Sequence, residues 1–548
     1  MNRRSIPAIV VLLAALVWLF VVGRDSVASP TAVFSSPAGT WMPSVTDTDS
    51  LTGSWFCPGV PATGEDGVGG SVVISNRNSE QLEGRFMVVS PEGLEVEQGF
   101  TVGRWSQGTI DVDAFVTTSF ASVVVEIDGG RGYVEQIVNH PAGDSVAPCA
   151  IETSNEWYLA DGFTVGGSVE TLILTNPYDD LVLTDLAFAT ASGSSEPNAF
   201  QGFPVPAKSV KVIPIAELGN RDEPIIAASI TTRGGRLVVG RAQHFTGGGR
   251  LGYDVSLAAP ALRDQWWFAD GERGAGITET FSIYNPTDDD VEVDVYFLGL
   301  PLEFDGGGFA PINVPARQVV MFQPFEGAVD DTENDPSDPE LFTSQIPNGR
   351  HSVVFSTLAQ PTVVVERVLT RPVGGSFVTS VVQGAPPRLD GFVATRWHIG
   401  VGPSVPTEDA LIVYNVDNEQ ATITIEAVGP GGPSAIPSLT DIPLGPGAVI
   451  TIDLTTDDVL DQELIVNSSN RVFIERSLGR GGDLDADFSL VTITHASMGE
   501  REAGIAPGSA ELWATLRTLT DARMGDLVAR AEALVRDAAS RSGLGLAI

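Results

Sequence analysis

The sequence predicts an all-β chain: four tandem immunoglobulin-like β-sandwich repeats, with an N-terminal transmembrane or signal helix in front and a C-terminal amphipathic helix behind. Three observations predict it. Four segments begin alike, Trp55-Phe-Cys-Pro-Gly, Trp157-Tyr-Leu-Ala-Asp-Gly, Trp266-Trp-Phe-Ala-Asp-Gly and Trp397-His-Ile-Gly-Val-Gly, and self-similarity of this kind marks tandem units. The 59 glycines and 36 prolines follow no collagen period, which favours many short strands joined by turns. Apolar residues also alternate with polar ones: Val291, Val293, Val295 and Phe297 interleave with Glu292, Asp294 and Tyr296, the pattern of a strand buried on one face.

The spacings set the boundaries. The tryptophans lie 102, 109 and 131 residues apart, and each unit of ~100 residues has the size of an immunoglobulin-like sandwich. A propeller blade is about half that length, so a propeller ranks second. The repeats run 54–153, 154–263, 264–390 and 391–500. An asparagine (Asn76, Asn176, Asn285, Asn415) follows each tryptophan by 18 to 21 residues and ends an apolar strand before a turn. A proline-led strand comes next (Val205-Pro-Ala, Val314-Pro-Ala, Leu444-Gly-Pro), since proline at a strand start costs no ladder bond. A late strand follows: Val123-Val-Val-Glu, Val238-Val-Gly-Arg, Val364-Val-Glu-Arg and Phe473-Ile-Glu-Arg. Unit three is the longest, with an acidic insert around Asp330, Asp331, Glu333 and Asp335 that reads as an exposed loop.

The ends are different. Arg3 and Arg4 precede an apolar run from Ile6 to Val22, so 1–28 reads as a signal anchor or signal peptide, followed by a linker at 29–53. That makes the chain extracytoplasmic, anchored in the cytoplasmic membrane or secreted. Cys57 and Cys149 flank unit one and pair as a disulfide in an oxidising compartment. In the tail, Leu512, Leu516, Leu519, Leu527, Ala531 and Leu534 recur at near-helical steps, which predicts an amphipathic helix over 509–540.

The Trp-Tyr-Phe-Ala-Glu-Gly-like starts, the Asn-Pro strand ends and the Val-Val-Glu-Arg strands resemble a repeat of exported proteins from actinobacteria and their relatives, a family with no assigned activity. The resemblance covers about residues 54 to 497. Units two and three carry it best; unit one has Cys57-Pro58 and unit four has His398 where the motif differs. It implies extracytoplasmic tandem β domains and supplies no catalytic residues.

The chemistry-bearing residues point away from catalysis. His140, His244, His351, His398 and His495 occupy no common repeat position and have no zinc-motif spacing. Gly247-Gly-Gly-Arg-Leu-Gly252 has a strand where a dinucleotide motif needs a helix, so it reads as a hairpin. Glu366-Arg367 and Glu475-Arg476 recur across units, and neighbours on a strand face opposite ways. One member is expected inward, in a structural ion pair with an acid such as Asp161 or Asp270. Asp483, Asp485 and Asp487 resemble half an EF-hand loop, but Phe488 replaces its glycine. They are the calcium candidates in a chain with no other expected cofactor or metal. The repeat tryptophans Trp55, Trp157, Trp266 and Trp397 read as core anchors, and Trp105 and Trp267 as exposed contacts.

A net charge of −39 repels phosphate backbones, which excludes nucleic acid as a partner class. The expected partners are the membrane, through the N-terminal segment, and an envelope protein or glycan. The sequence therefore predicts no enzyme but a membrane-anchored envelope scaffold. A carbohydrate-binding repeat protein is the alternative, and a cryptic hydrolase the third reading.

Overall fold

The computed structural model describes residues 52–299, 310–325 and 347–480 (apart from 66, 131, 219–221, 358–360, 374–375, 386–393, 401–405, 456–458 and 460–461), the segments 490–498 and 510–517, and positions 528, 532, 535 and 536. The N-terminal segment 1–28, the linker to residue 51, the core of the acidic insert and the calcium candidates Asp483, Asp485 and Asp487 lie outside the described residues. Among those described, no helix is long and apolar enough to cross a membrane.

Unit one contains β1 (Thr52–Ala62), β2 (Gly69–Asn76), β3 (Leu82–Ser90), β4 (Gly93–Val102), β5 (Gln107–Asp111), β6 (Thr118–Asp128), β7 (Gly132–Asn139) and β8 (Ser145–Pro148). They form two antiparallel sheets, β1-β6-β3-β4 and β5-β2-β7-β8. Trp55, Val123 and Val125 from the first sheet share one core with Val72, Ile74 and Val134 from the second, which makes the unit a sandwich.

Unit two contains β9 (Glu156–Leu159), β10 (Val169–Asn176), β11 (Val182–Thr190), β12 (Gly193–Ser195), β13 (Phe203–Val205), β14 (Ser209–Pro214), β15 (Ala227–Thr232), β16 (Val238–Gly247) and β17 (Arg250–Leu257). Unit three contains β18 (Gln265–Arg273), β19 (Thr278–Asn285), β20 (Val291–Leu298), β21 (Ile312–Val314), β22 (Gln318–Phe322), β23 (Gly349–Ser356), β24 (Val364–Val373) and β25 (Ser376–Gln383). Both repeat the plan of unit one: β12-β11-β15-β9 faces β14-β10-β16-β17, and β18-β23-β20-β21 faces β22-β19-β24-β25. Unit four contains β26 (Ala394–Ile399), β27 (Pro406–Asn415), β28 (Ala421–Gly429), β29 (Gly432–Ala435), β30 (Ile442–Leu444), β31 (Val449–Asp453) and β32 (Glu463–Arg480). In it the sixth and seventh strands run together as β32, which joins the two sheets. Beyond the units, β33 (Leu490–Met498) pairs with β34 (Ala510–Arg517).

Four details differ from the sequence reading. The strand order departs from an immunoglobulin domain, whose first, second, fourth and fifth strands share one sheet; here the second and fifth sit opposite the first and fourth. The expected C-terminal helix over 509–540 begins instead with the strand β34, and among the described residues no helix reaches seven residues. Leu512, Ala514 and Leu516 satisfy a two-residue period as well as a helical one, and pairing with Leu490–Met498 decides for the strand. The Val-Pro-Ala segments are not strand starts: Pro206 and Pro315 lie in turns between β13 and β14 and between β21 and β22. In unit one the counterpart of Val364-Val-Glu-Arg is Tyr133-Val-Glu-Gln on β7. Gln136 lies opposite Val72 as Arg367 lies opposite Phe281, whereas Val123–Glu126 belongs to β6.

The four asparagines share one task. Each is fully buried. Asn176 donates through Nδ2 to the carbonyls of Asp180, Val205 and Pro206 at 2.8, 3.1 and 2.9 Å, while its Oδ1 accepts the Tyr178 amide. Asn76, Asn285 and Asn415 make the same bonds in their own units. The side chain thus ties the turn after the second strand to the turn that crosses between the sheets, and a buried amide needs these partners. The crossing turn holds Lys208 at φ 43° and Arg317 at φ 56°; their amides donate to the carbonyls of Tyr178 and Thr287. Trp105, at φ 46°, makes the same bond to Asn78, so it belongs to the repeat after all.

The units are not beads on a string. Val124 and Phe56 of unit one pack into the core of unit two, and Tyr158 and Ala227 of unit two pack into that of unit three. Ala410, Tyr414 and Phe473 of unit four join the same core. Unit four then returns to unit one, where Arg77 pairs with Glu463 in a buried contact and Gln107 donates to Glu463. The four sandwiches close a ring.

Candidate functional site

Each junction of the ring is built from the same repeat positions. Arg241 on β16 alternates with Val239, which lies in the core of its own unit, so both side chains point inward. Glu366 on β24 faces the other way, out of unit three and into unit two. Its Oε2 accepts the amides of Ala160 and Asp161 at 2.8 and 2.5 Å, and its carboxylate takes Arg241 in a fork at 3.1 and 3.0 Å. Arg250 pairs with Asp161 at 3.0 Å and lies over the Phe163 ring. The expected ion pair is present, but both members of the Glu-Arg dipeptide are buried, because the neighbouring unit covers the outer face.

The junction of units three and four repeats this. The Asp270 amide donates to Glu475, Arg367 pairs with Glu475 at 3.2 Å, and Nη2 of Arg371 donates to both carboxylate oxygens of Asp270 at 3.0 and 3.0 Å. Burial would raise the Asp270 carboxyl, but Arg367, Arg371 and Arg350 together hold it below the usual carboxylate range. Between units four and one, the Glu135 carboxylate lies against Gly400, and Arg476 donates to the Gly400 carbonyl at 2.8 Å while forking onto Asp409. Burial lowers Arg77 to about 10, against the opposing charges of Tyr133 and Glu135, and burial together with Arg77 and Arg396 drops His398 to about 3, so it stays neutral.

The junction of units one and two is the exception. Gly240 stands where Glu366 and Glu475 stand, Pro58 and Gly59 replace Ala160 and Asp161, and Gln136 replaces the arginine. A Cβ on Gly240 would lie 2.8 Å from the Pro58 ring, so only glycine fits. The buried Gln136 amide makes no hydrogen bond among the described residues.

The eighth strands meet on the ring axis around a cavity of about 380 Å³. All four units line it, among them Ser145, Tyr253, Asp254, Arg367, Thr379 and Ser477. Its guanidiniums are engaged, Arg371 with Asp270, Glu272 and the Ser477 hydroxyl. Asp254 accepts from Ser145 at 3.3 Å, and burial pushes its carboxyl up to about 7 against the pull of Arg241. The packing of unit one on unit two also brings together His140 and His244, 4.7 Å apart between ring centroids, with Tyr253 stacked on His140 at 4.2 Å. The sequence separates these residues into different repeats and carries no local sign of the meeting. His351 and Glu279 form a fully buried pair at 2.9 Å, closed to any substrate.

The remaining predicted positions are structural. Cys57 and Cys149 are disulfide-bonded. Trp55, Trp157 and Trp266 are fully buried and Trp397 is half-buried. Three of their indole N–H groups donate to the carbonyl at the head of the seventh strand: Leu237, Val363 and Val472. Trp267 is not an exposed contact: it packs edge-on against Tyr414 and Phe473 of unit four. Trp105 lies against Gly432 of unit four, just as Arg317 reaches Glu196 of unit two, so this turn touches the preceding unit. Gly247 to Gly252 is a hairpin with a two-residue turn, Gly248-Gly249, both at positive φ. Among the described residues no cluster of three metal-ligating side chains forms. No protein-family model matches the chain, and no curated protein matches it.

Proposed function

We propose that this is a non-catalytic, membrane-anchored extracytoplasmic protein whose four sandwiches act as one rigid interaction module of the cell envelope. The observation that carries this reading is the use of the recurring charged residues: Glu366 with Arg241, and Glu475 with Arg367, bind one unit to the next. Residues that recur because they close a ring are accounted for by folding, and the module then offers its outer surface and loops to partners. The Cys57–Cys149 bridge supports an oxidising compartment. The apolar run at Ile6–Val22 and the resemblance to exported repeat proteins support the same address.

The test is a crosslinked pull-down of tagged protein from its native envelope, with membrane fractionation and thiol labelling. Recovery with the membrane, an oxidised cysteine pair and a reproducible protein partner is the expected result. Glycan enrichment without a protein partner overturns it in favour of carbohydrate binding, and a reduced protein in the cytosolic fraction overturns the location.

A further inference from the structure

The ring junctions leave a cavity of about 380 Å³ on the axis. That is the lower end of the range for small-molecule sites, ~300–1,000 Å³, and room for about a dozen waters. One wall is a single face of the β24–β25 pair: Arg367, Leu369 and Arg371 lie opposite Val382, Ser380 and Val378, and all six line the cavity. This wall mixes guanidinium, hydroxyl and hydrocarbon. The guanidiniums of the cavity are already matched. Arg367 pairs with Glu475, Arg371 with Asp270 and Glu272, and Arg476 with Asp409. An anionic ligand would have to displace these carboxylates and give up its own hydration on entry.

Unit two lines the cavity with groups of another kind. Tyr253 is held by its stack on His140, and its hydroxyl makes no hydrogen bond among the described residues. Burial and the neighbouring Asp254 charge raise the phenol pKa, so it remains a neutral O–H. The Asp254 carboxyl accepts from Ser145 through Oδ1, while its Oδ2 has no hydrogen-bond partner among the described residues. Polar groups in such surroundings are costly to leave unpaired. A ligand hydroxyl both donates and accepts, so it can serve a phenol and a carboxyl alike. We infer that the axial cavity binds a small uncharged polyol of hexose size, with Tyr253 and Asp254 hydrogen-bonding its hydroxyls and Leu369, Val378 and Leu478 meeting its C–H faces. The inference goes beyond the scaffold reading and does not depend on it, because partners of the module meet the outer surface and this ligand lies on the axis.

The test is saturation-transfer NMR and calorimetry on the full chain, held in a detergent without sugar headgroups. The probes are glucose, galactose, arabinose and myo-inositol, with glucosamine and glucuronate as charged counterparts. At least one neutral probe should bind. Tyr253→Phe keeps the stack on His140 and removes only the hydroxyl, so it should weaken binding about three- to tenfold and leave the thermal midpoint in place. Ser380→Phe fills the cavity from the opposite wall and should abolish binding. Methyl glycosides that bind as well as the free sugars assign the ligand to the end of a glycan, and free sugars alone assign it to a free small molecule. Binding of the charged counterparts only overturns the ligand class, and binding unchanged by Tyr253→Phe and Ser380→Phe overturns the site. No binding of any probe at millimolar concentration overturns the inference and leaves the cavity to water.

Discussion

Two junctions of the same ring solve the same contact with opposite chemistry. Between units two and three, Glu366 enters a pocket of two amides and a forked arginine. Between units one and two, Gly240 rests on Pro58, and no charge is present at the equivalent positions. Three groups change together: the glutamate, the arginine and the residues that offer the amides. This fits the energetics of buried ion pairs, which roughly break even against apolar packing when complete and are costly when only one partner is left. The comparison therefore predicts that halves are worse than either whole. Glu366→Ala leaves the Arg241 guanidinium buried without its fork, and should cost about 3–5 kcal/mol in urea unfolding. Glu366→Leu combined with Arg241→Met should recover most of that loss. If the double variant is as unstable as the single one, the two junctions are not interchangeable solutions.

The apolar junction can be strained from both sides. Cys57 stands beside Pro58, so the disulfide anchors the strand on which Gly240 rests. Cys57→Ser with Cys149→Ser should cost roughly 2–4 kcal/mol, the usual effect of opening a long loop. Gly240→Ala should cost about 1–3 kcal/mol by overpacking, whereas Glu366→Gln at the ionic junction keeps the shape and tests charge alone. Thermal unfolding of the three proteins side by side ranks the contributions of covalent closure, close packing and charge.

The sequence made the units legible because their markers are local. Tryptophan, asparagine and turn residues recur within a single repeat, and each acts inside that repeat. The asparagine clamp shows the limit even there: the strand end was readable at Asn176, but its bond to Val205 depends on a turn 29 residues later. The ring was not readable, because every junction joins residues from two repeats. Glu366 and Arg241 are 125 residues apart, and nothing near either one names the other. The same cause explains the tryptophans. Trp105 and Trp267 looked free of the repeat and therefore exposed, yet both pack at boundaries between units, Trp267 against unit four and Trp105 where unit four returns to unit one. The start of the tail, 510–517, was misread for a different reason, since Leu512–Leu516 fits two periods and only the partner strand β33 chooses between them.

The smallest expected effect concerns a proton held in unit two. Glu170 and Glu279 hold the same position on β10 and β19, six residues before the asparagine. Glu279 meets His351 at 2.9 Å, whereas Oε2 of Glu170 has no hydrogen-bond partner among the described residues. Burial pushes the Glu170 carboxyl up to about 8, from 4.5, with Arg241 pulling down and Asp161 and Glu366 pushing up. Near neutrality the folded protein keeps this proton, while the unfolded chain has released it. The unfolded state then binds fewer protons, so stability falls as pH rises from about 4.5 to about 8 and levels off above. Asp254, raised from 3.8 to about 7, adds a loss of the same sign at slightly lower pH. Glu170→Gln keeps the shape and removes the titration. Its unfolding midpoint, measured from pH 4.5 to 8, should decline less steeply than that of the parent protein, and the two curves should diverge most at the alkaline end. Parallel curves would mean that Glu170 is ionised in the folded protein and that the acids of this junction share their charge differently.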